Sequence, residues 1–292
     1  MSRLAYLALV FVFCLTWSSA FPVAKMVVGI APPLLFLGVR FSIAAVLLVG
    51  FALSTGRLRT DGQARVPWLM LMGFGVIHFA GYQGIAWIGM HTVSGGLTTI
   101  INSLNPVLVG VAAVPFLGEK MSWRKACGLL LGFIGAAFVV RNRIALGEGA
   151  FGILLVTIGM ISMVCGTLLT KRFASGIDLF AMVGAQQGGA GLTLLIAGLA
   201  SGERFTDFPA TPQLLFCFLW MIFGVSIASF LLWFFLLRRG SASAATSLHF
   251  LMPPLGLLIG WALLGEPLQA LDLLGVVPVA LGIRLATSAQ PV

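Results

Sequence analysis

Several polar side chains of this chain lie inside long apolar runs, where a polar group is costly and needs a reason. His78 and Tyr82 are four residues apart, so a helix stacks them on one face, with Gln83 beside them. Thr98, Thr99, Asn102 and Asn105 occupy the next run, and Ser243, Thr246, Ser247 and His249 a later one. Polar groups at membrane depth usually face a cavity or another helix. His78, Tyr82, Asn102, Ser247 and His249 are therefore expected to line a substrate cavity. Their competing role is interhelical hydrogen bonding, at about 0.6–2 kcal/mol per contact. Asn102 and His249 each stand one turn before a proline, Pro106 and Pro253. A proline frees a backbone carbonyl one turn earlier, for a ligand or a hinge.

Aromatic residues supply the second part of such a site. Trp68, Trp87 and Trp123 stand near the ends of apolar runs, as tryptophans at a membrane–water interface do. Trp17 is mid-run and is expected to stack against substrate. Ser226, Phe230 and Trp233 share one helical face, either as an aromatic wall of the site or as packing. A zwitterionic amino acid needs donors for its carboxylate, acceptors for its ammonium and an apolar pocket, all of which this set offers. Arg40 is the one arginine well inside a run; a structural role is expected, by snorkelling to the outer surface, the alternative being a contact with a substrate carboxylate or with helix-end carbonyls.

The same inventory argues against other chemistry. No His-Glu-x-x-His, paired intramembrane carboxylates or Ser/His/Asp set is present, so neither an enzyme nor a metal or cofactor site is expected. A membrane-embedded enzyme and a lipid scramblase remain the readings from other classes. Cys14, Cys127, Cys165 and Cys217 are far apart within apolar runs and read as small hydrophobes. No Asp or Glu lies mid-run, which favours uncoupled facilitated diffusion. Histidine-linked proton exchange, as in a drug or metabolite antiporter, is the variant.

These residues must be positioned by membrane helices. Of 292 residues, 60% are hydrophobic and 9% charged, against roughly 25% charged in a soluble domain. The mean hydropathy is +1.09. A bilayer core of about 30 Å takes roughly 20 apolar residues as a helix. Ten spans fit, at 4–28, 32–55, 66–89, 92–117, 123–141, 149–171, 178–200, 212–237, 241–264 and 270–287, with glycines and prolines at their ends. The fold class predicted is all-α integral membrane. The first span is read as retained rather than as a signal peptide, because its apolar run is too long. The net charge of +9 lies in short clusters between runs; with both termini in the cytoplasm, 12 of the 17 basic residues fall inside. That charge reports orientation and predicts no nucleic-acid partner. Membrane lipids and a small-molecule substrate are the expected partners, with a homodimer contact open through the glycines Gly128, Gly132 and Gly135.

The two halves, 1–146 and 147–292, align at an offset of 146–147 residues. Pro106 pairs with Pro253, Leu117-Gly118-Glu119 with Leu264-Gly265-Glu266, Gly38 with Gly184 and Lys25 with Lys171. An odd number of helices per half turns the second copy upside down, which predicts an inverted-topology repeat of two five-helix units, the architecture of many secondary transporters. Glu119 and Glu266 are expected to stabilise the N-terminal end of the helix that follows each.

The stretch from Asn105-Pro106 through Leu117-Gly118-Glu119-Lys120 and Ser122-Trp123 to Gly135 resembles the end of an EamA repeat, and Met252 to Gly282, with Gly265-Glu266-Pro267, resembles another. EamA proteins belong to the drug/metabolite transporter superfamily. The resemblance covers nearly the whole chain. It implies ten helices, cytoplasmic termini, the inner membrane and export of amino acids or related metabolites, with the bacterial aromatic amino-acid exporters most similar.

Overall fold

The computed structural model describes residues 3–57, 66–102, 104–124, 126–128, 130–131, 133–135, 147–174, 176–239 and 252–265, with six further positions between 274 and 285. Among these the chain is entirely helical. Helix α1 spans Arg3–Val28, α2 Pro33–Ser54 and α3 Trp68–Gly89. Two short helices follow, α4 at Gly95–Asn102 and α5 at Asn105–Leu117. Then come α6 at Ala150–Phe173, α7 at Leu179–Ala200, α8 at Pro212–Arg238 and α9 at Met252–Leu264. Seven segments among the described residues are long and apolar enough to cross a membrane: α1, α2, α3, α6, α7, α8 and the stretch Ile100–Leu117, which holds the end of α4 and all of α5. This is a multi-pass membrane protein. The expected spans 123–141, 241–264 and 270–287 fall partly outside the described residues, as does Gly132 of the fifth span.

One predicted span differs. The run 92–117 is divided, because α5 begins afresh at Asn105 with Pro106 in its first turn. Proline fits there, since a first-turn N–H has no intrahelical partner to lose. Pro106 thus starts a helix instead of kinking one. Pro253 lies in the first turn of α9 in the same way.

Large apolar side chains such as Phe11, Val46, Leu69, Phe151 and Ile196 are exposed around the bundle. Lipid tails leave helices no hydrophobic reason to associate, so close packing of small residues must hold them. The α2–α7 contact shows this. The helices run antiparallel, and Leu35, Gly38, Ser42, Ala45 and Val49 meet Gly198, Leu195, Gly191, Gly188 and Gly184 in that order. A Cβ on Gly38 would stand 2.7 Å from Leu195 Cγ, and one on Gly184 2.8 Å from Val49 Cγ2. Likewise α3 lies on α6, with Gly159 against the Tyr82 carbonyl and Gly166 against His78.

Two helices are not α-helical throughout. Val76–Gly84 in α3 and Trp220–Ser229 in α8 are π-helical. A π turn interrupts the i→i−4 ladder, widens the helix and leaves carbonyls open to side-chain donors. These segments carry most of the polar side chains discussed next.

A closed aromatic cavity between α1, α3, α4 and α8

A cavity lies where the two π-helical segments face α1 and the start of α4. Its walls are Trp17, Ala20 and Phe21 of α1, Tyr82, Gln83, Ala86 and Trp87 of α3, Met90, Thr98 of α4, and Met221, Val225 and Phe230 of α8. The volume open to a water molecule is about 20 Å³, room for one water. That space is too small for an amino acid as it stands.

Aromatic packing builds one wall. Trp17 meets Phe230 edge-on at 4.9 Å between ring centres, Phe13 at 5.3 Å and Trp233 at 5.9 Å. Such tilted pairs add about 0.5–1.5 kcal/mol beyond their buried area. Trp233 is fully buried behind this layer and does not line the cavity. Trp87, expected at the interface, faces inward instead: it is 4% exposed, lines the cavity and stacks on Phe36 at 5.7 Å. Trp123, 81% exposed, does face outward.

The polar side is organised by Arg40, which does not snorkel. It is completely buried. Its Nε donates to Ser226 Oγ at 2.7 Å and to the Met221 carbonyl at 3.1 Å, its Nη1 donates to Gln83 Oε1 at 2.9 Å, and its guanidinium lies 4.7 Å over the Phe41 ring. Nη2 has no hydrogen-bond partner. Met221 and Ser226 belong to the π-helical segment, and Gln187 of α7 donates to the Ser226 carbonyl at 2.5 Å. Two side chains of α2 and α7 therefore use the irregular turn of α8 as their acceptor surface.

The residues singled out from sequence divide accordingly. Trp17 and Tyr82 line the cavity. His78 is buried off it, stacked on Phe79 at 4.7 Å and edge-on to Phe234 at 5.5 Å. Asn102 is buried and donates back to the Thr98 carbonyl at 2.8 Å. Ser247 and His249 lie outside the described residues. Gln83 and Thr98, noted only as neighbours in the sequence, are the polar lining besides Tyr82. Their signal is weak in the sequence because Arg40, which orients Gln83, is 43 residues away.

Lysines hold both ends of this region. Lys25, at the end of α1, donates to the carbonyls of Met90 and Val93, the latter at 3.0 Å. Lys171, at the end of α6, donates to the Leu237 carbonyl near the end of α8 at 2.6 Å. Cations suit the carbonyl-rich C-terminal ends of helices. A roomier cleft of about 510 Å³ opens between α5 and α6, walled by residues such as Leu108, Val111, Phe116, Ile161 and Leu168. Among the described residues its walls offer no strong hydrogen-bonding side chain, which suits an acyl chain better than a polar cargo.

Comparison with known proteins matches this chain twice to the EamA-like transporter family, over residues 4–141 and 150–288. The two matches are displaced by the same 146–147 residues found within the sequence. The chain is similar to the uncharacterized transporter YvbV of Bacillus subtilis, 30% identical over 273 residues that cover 93% of this chain and 88% of the relative. It is also similar to the uncharacterized inner membrane transporter YedA of Escherichia coli K12, 27% identical over 283 residues, 95% of this chain and 89% of that one. A solved crystal structure with 18% sequence identity shares the fold, with a TM-score of 0.74 over 98% of both chains.

Proposed function

Because the chain belongs to the EamA-like transporter family, we propose that it exports small metabolites, above all neutral and aromatic amino acids, across the inner membrane by alternating access. The carrying observation is the cavity, lined by the aromatic side chains of Trp17, Trp87 and Phe230 and by the neutral hydrogen-bonding groups of Tyr82, Gln83 and Thr98. Such a surface suits an aromatic side chain at one end and a zwitterion at the other.

Alternating access in this reading exchanges two equivalent packings of an inverted repeat of ten helices, both termini cytoplasmic. The α2–α7 contact supports it. Displacing Gly38–Leu195 by 146 residues in opposite senses gives Gly184–Val49, which is itself a contact of that seam. Ser42–Gly191 and Gly188–Ala45 exchange in the same way. A two-fold axis through the seam has this signature. Uncoupled transport is the mechanism this reading favours, since the cavity lining among the described residues is uncharged.

The test is flux of labelled phenylalanine and threonine through purified protein in liposomes, without an imposed ion gradient. Saturable flux that prefers phenylalanine is expected. Flux that appears only with a proton gradient, or vesicle pH changes driven by substrate, would replace the uncoupled mechanism with proton exchange. Absence of flux for both would remove the amino-acid assignment.

A further inference from the structure

Arg40 carries a permanent positive charge, because guanidinium does not lose its proton in proteins. It is completely buried at membrane depth, yet each of its hydrogen-bond partners is neutral: a hydroxyl, a backbone carbonyl and an amide oxygen. The one ion pair among the described residues joins Arg57 to Asp178, at the other end of α2. One arm of the Arg40 fork, Nη2, is left without a partner. A buried charge is normally paired, and a site that leaves it unpaired is completed by something that arrives.

Gln83 shows where. Arginine is a donor only, so the end of the Gln83 amide that faces Nη1 at 2.9 Å must be its oxygen. The opposite end is therefore NH2, also a donor only, and Gln83 lines the cavity. Met221, whose carbonyl holds the Arg40 Nε, lines the same cavity. Tyr82, one residue away, also lines the cavity, and its hydroxyl adds a third donor. The polar corner of the cavity thus presents donors backed by an unneutralised cation, and the opposite wall is aromatic.

We propose that Gln83 and Arg40 recognise a free carboxylate on the cargo. This rests on the reading of the chain as a carrier and deepens it by naming the charged group carried. Gln83 Nε2 donates to a carboxylate oxygen. Arg40 is a positioning residue: it fixes the direction of the Gln83 amide and supplies the countercharge, its free Nη2 coming within reach as α8 moves. An aromatic cargo with its carboxylate esterified, amidated or absent is rejected.

The experiment measures flux and thermal stabilisation of the purified carrier with matched aromatic ligands: phenylalanine, phenylalaninamide, phenethylamine and 3-phenylpropionate. Wild type is expected to favour both acids over the amide and the amine by about 10- to 100-fold in KM, the range of a charge-assisted hydrogen bond. Gln83→Glu places a carboxylate beside Arg40 inside the protein. This variant is expected to fold as well as wild type, to lose the preference for acids and to carry phenethylamine better. Gln83→Leu, which keeps Arg40, is expected to raise KM for acids without changing KM for the amine. Arg40→Lys is expected to recover part of the preference that Arg40→Gln abolishes, which a purely structural role does not predict. Equal handling of acid and amide, or an unchanged acid preference in Gln83→Glu, overturns the carboxylate site while leaving a carrier in place. No flux and no stabilisation by any of the four ligands overturns both readings.

Discussion

The two halves of the chain, compared at positions 146–147 residues apart, agree in how they hold helices together and differ in what they show the cavity. Lys25 reaches the Met90 carbonyl in the first half, and its counterpart Lys171 reaches that of Leu237, the counterpart of Met90. Gly38 and Gly184 both lie in the α2–α7 seam. A π-helical segment interrupts α3 in one half and α8 in the other. Yet Arg40 answers to Gln186, His78 to Val225, and Gln83 to Phe230. Gln83 and Phe230 line the same cavity, one as a polar and the other as an apolar side chain. Features that make the bundle pack and rock are duplicated. The side chains that line the cavity are not duplicated: the first half gives it Tyr82, Gln83 and Thr98, and the second half gives it only the apolar Met221, Val225 and Phe230.

The aromatic wall gives the largest expected effect. Trp17 touches the cavity and Trp233 stands behind it. Truncating the fully buried ring, Trp233→Ala, is expected to cost about 3–5 kcal/mol of stability, read as a large fall in the thermal midpoint in detergent. Trp17→Ala is expected to cost less stability and to raise KM for aromatic cargo about tenfold, in line with the loss of one good contact of about 1.4 kcal/mol. If Trp233→Ala changed KM selectively and Trp17→Ala did not, the boundary between recognition and support would be misplaced.

The lysine pair tests the duplicated part. Lys25→Met and Lys171→Met each remove charge-assisted hydrogen bonds worth about 1.5–3 kcal/mol. The proposed orientation, with the termini inside, would put the Lys25 contacts at the outer face and the Lys171 contact at the inner one. A membrane-impermeant thiol reagent added outside is therefore expected to react faster with Thr98→Cys when Lys25 is replaced, and at an unchanged rate when Lys171 is. Equal acceleration in both would dissolve the distinction between the two faces.

Glycines of the seam give a graded result. Gly38→Ala drives a Cβ to 2.7–2.8 Å of the Leu195 side chain and backbone nitrogen, whereas Gly184→Ala meets Val49 Cγ2 at 2.8 Å and its nitrogen only at 3.2 Å. Overpacking costs about 1–3 kcal/mol. Gly38→Ala is expected to fall at the upper end and Gly184→Ala at the lower, because a side chain yields more readily than backbone. A neutral Gly38→Ala would show that the helices part there without cost.

Sequence reading places the helices well and the site only in part, for a physical reason. Length and apolarity mark the membrane helices, so α2, expected at 32–55, spans Pro33–Ser54, and α7, expected at 178–200, spans Leu179–Ala200. Within a span, however, lipid and protein interior are both apolar, so hydrophobic periodicity does not say which face is buried. Trp87 consequently reads as interfacial and faces inward. His78 reads as a cavity residue because it is polar, yet it lies among Phe79, Phe234 and Gly166. The π-helical segments leave no compositional mark, since one extra residue in a turn changes register rather than residue type. Arg40 is conspicuous in the sequence, but its partners Gln83 and Ser226 are 43 and 186 residues away.

The smallest expected effect concerns how the seam's two helices begin. Helix α7 is capped by its own Asp178, whose carboxylate accepts from the Phe180 and Ala181 N–H groups at 2.9 and 3.1 Å. Helix α2 begins at Pro32-Pro33, where the N-cap offers no side-chain oxygen. Its N–H groups at Leu34 and Leu35 are taken instead by Glu203, beyond the far end of α7, at 3.2 and 2.7 Å. Displacement by 146 residues pairs Pro32 with Asp178 and Arg57 with Glu203, so the same need is met locally at one end and across the seam at the other. Loss of an N-cap costs about 0.5–2 kcal/mol. Glu203→Ala and Asp178→Ala are therefore expected to lower the thermal midpoint by similar amounts. Arg57 meets Asp178 at 3.8 Å with half of its side chain exposed, and such a pair contributes about 0–1 kcal/mol. Arg57→Ala is expected to leave the midpoint nearly unchanged. Only the Glu203 variant is expected to loosen α2 from α7 as well, because its carboxylate joins them by two hydrogen bonds, whereas Asp178 reaches the end of α2 only through the half-exposed Arg57 pair. Faster hydrogen exchange at Leu34 and Leu35, with Phe180 and Ala181 unaffected, is the readout, and equal exchange at both helix starts would mean that Glu203 caps α2 without fastening it to α7.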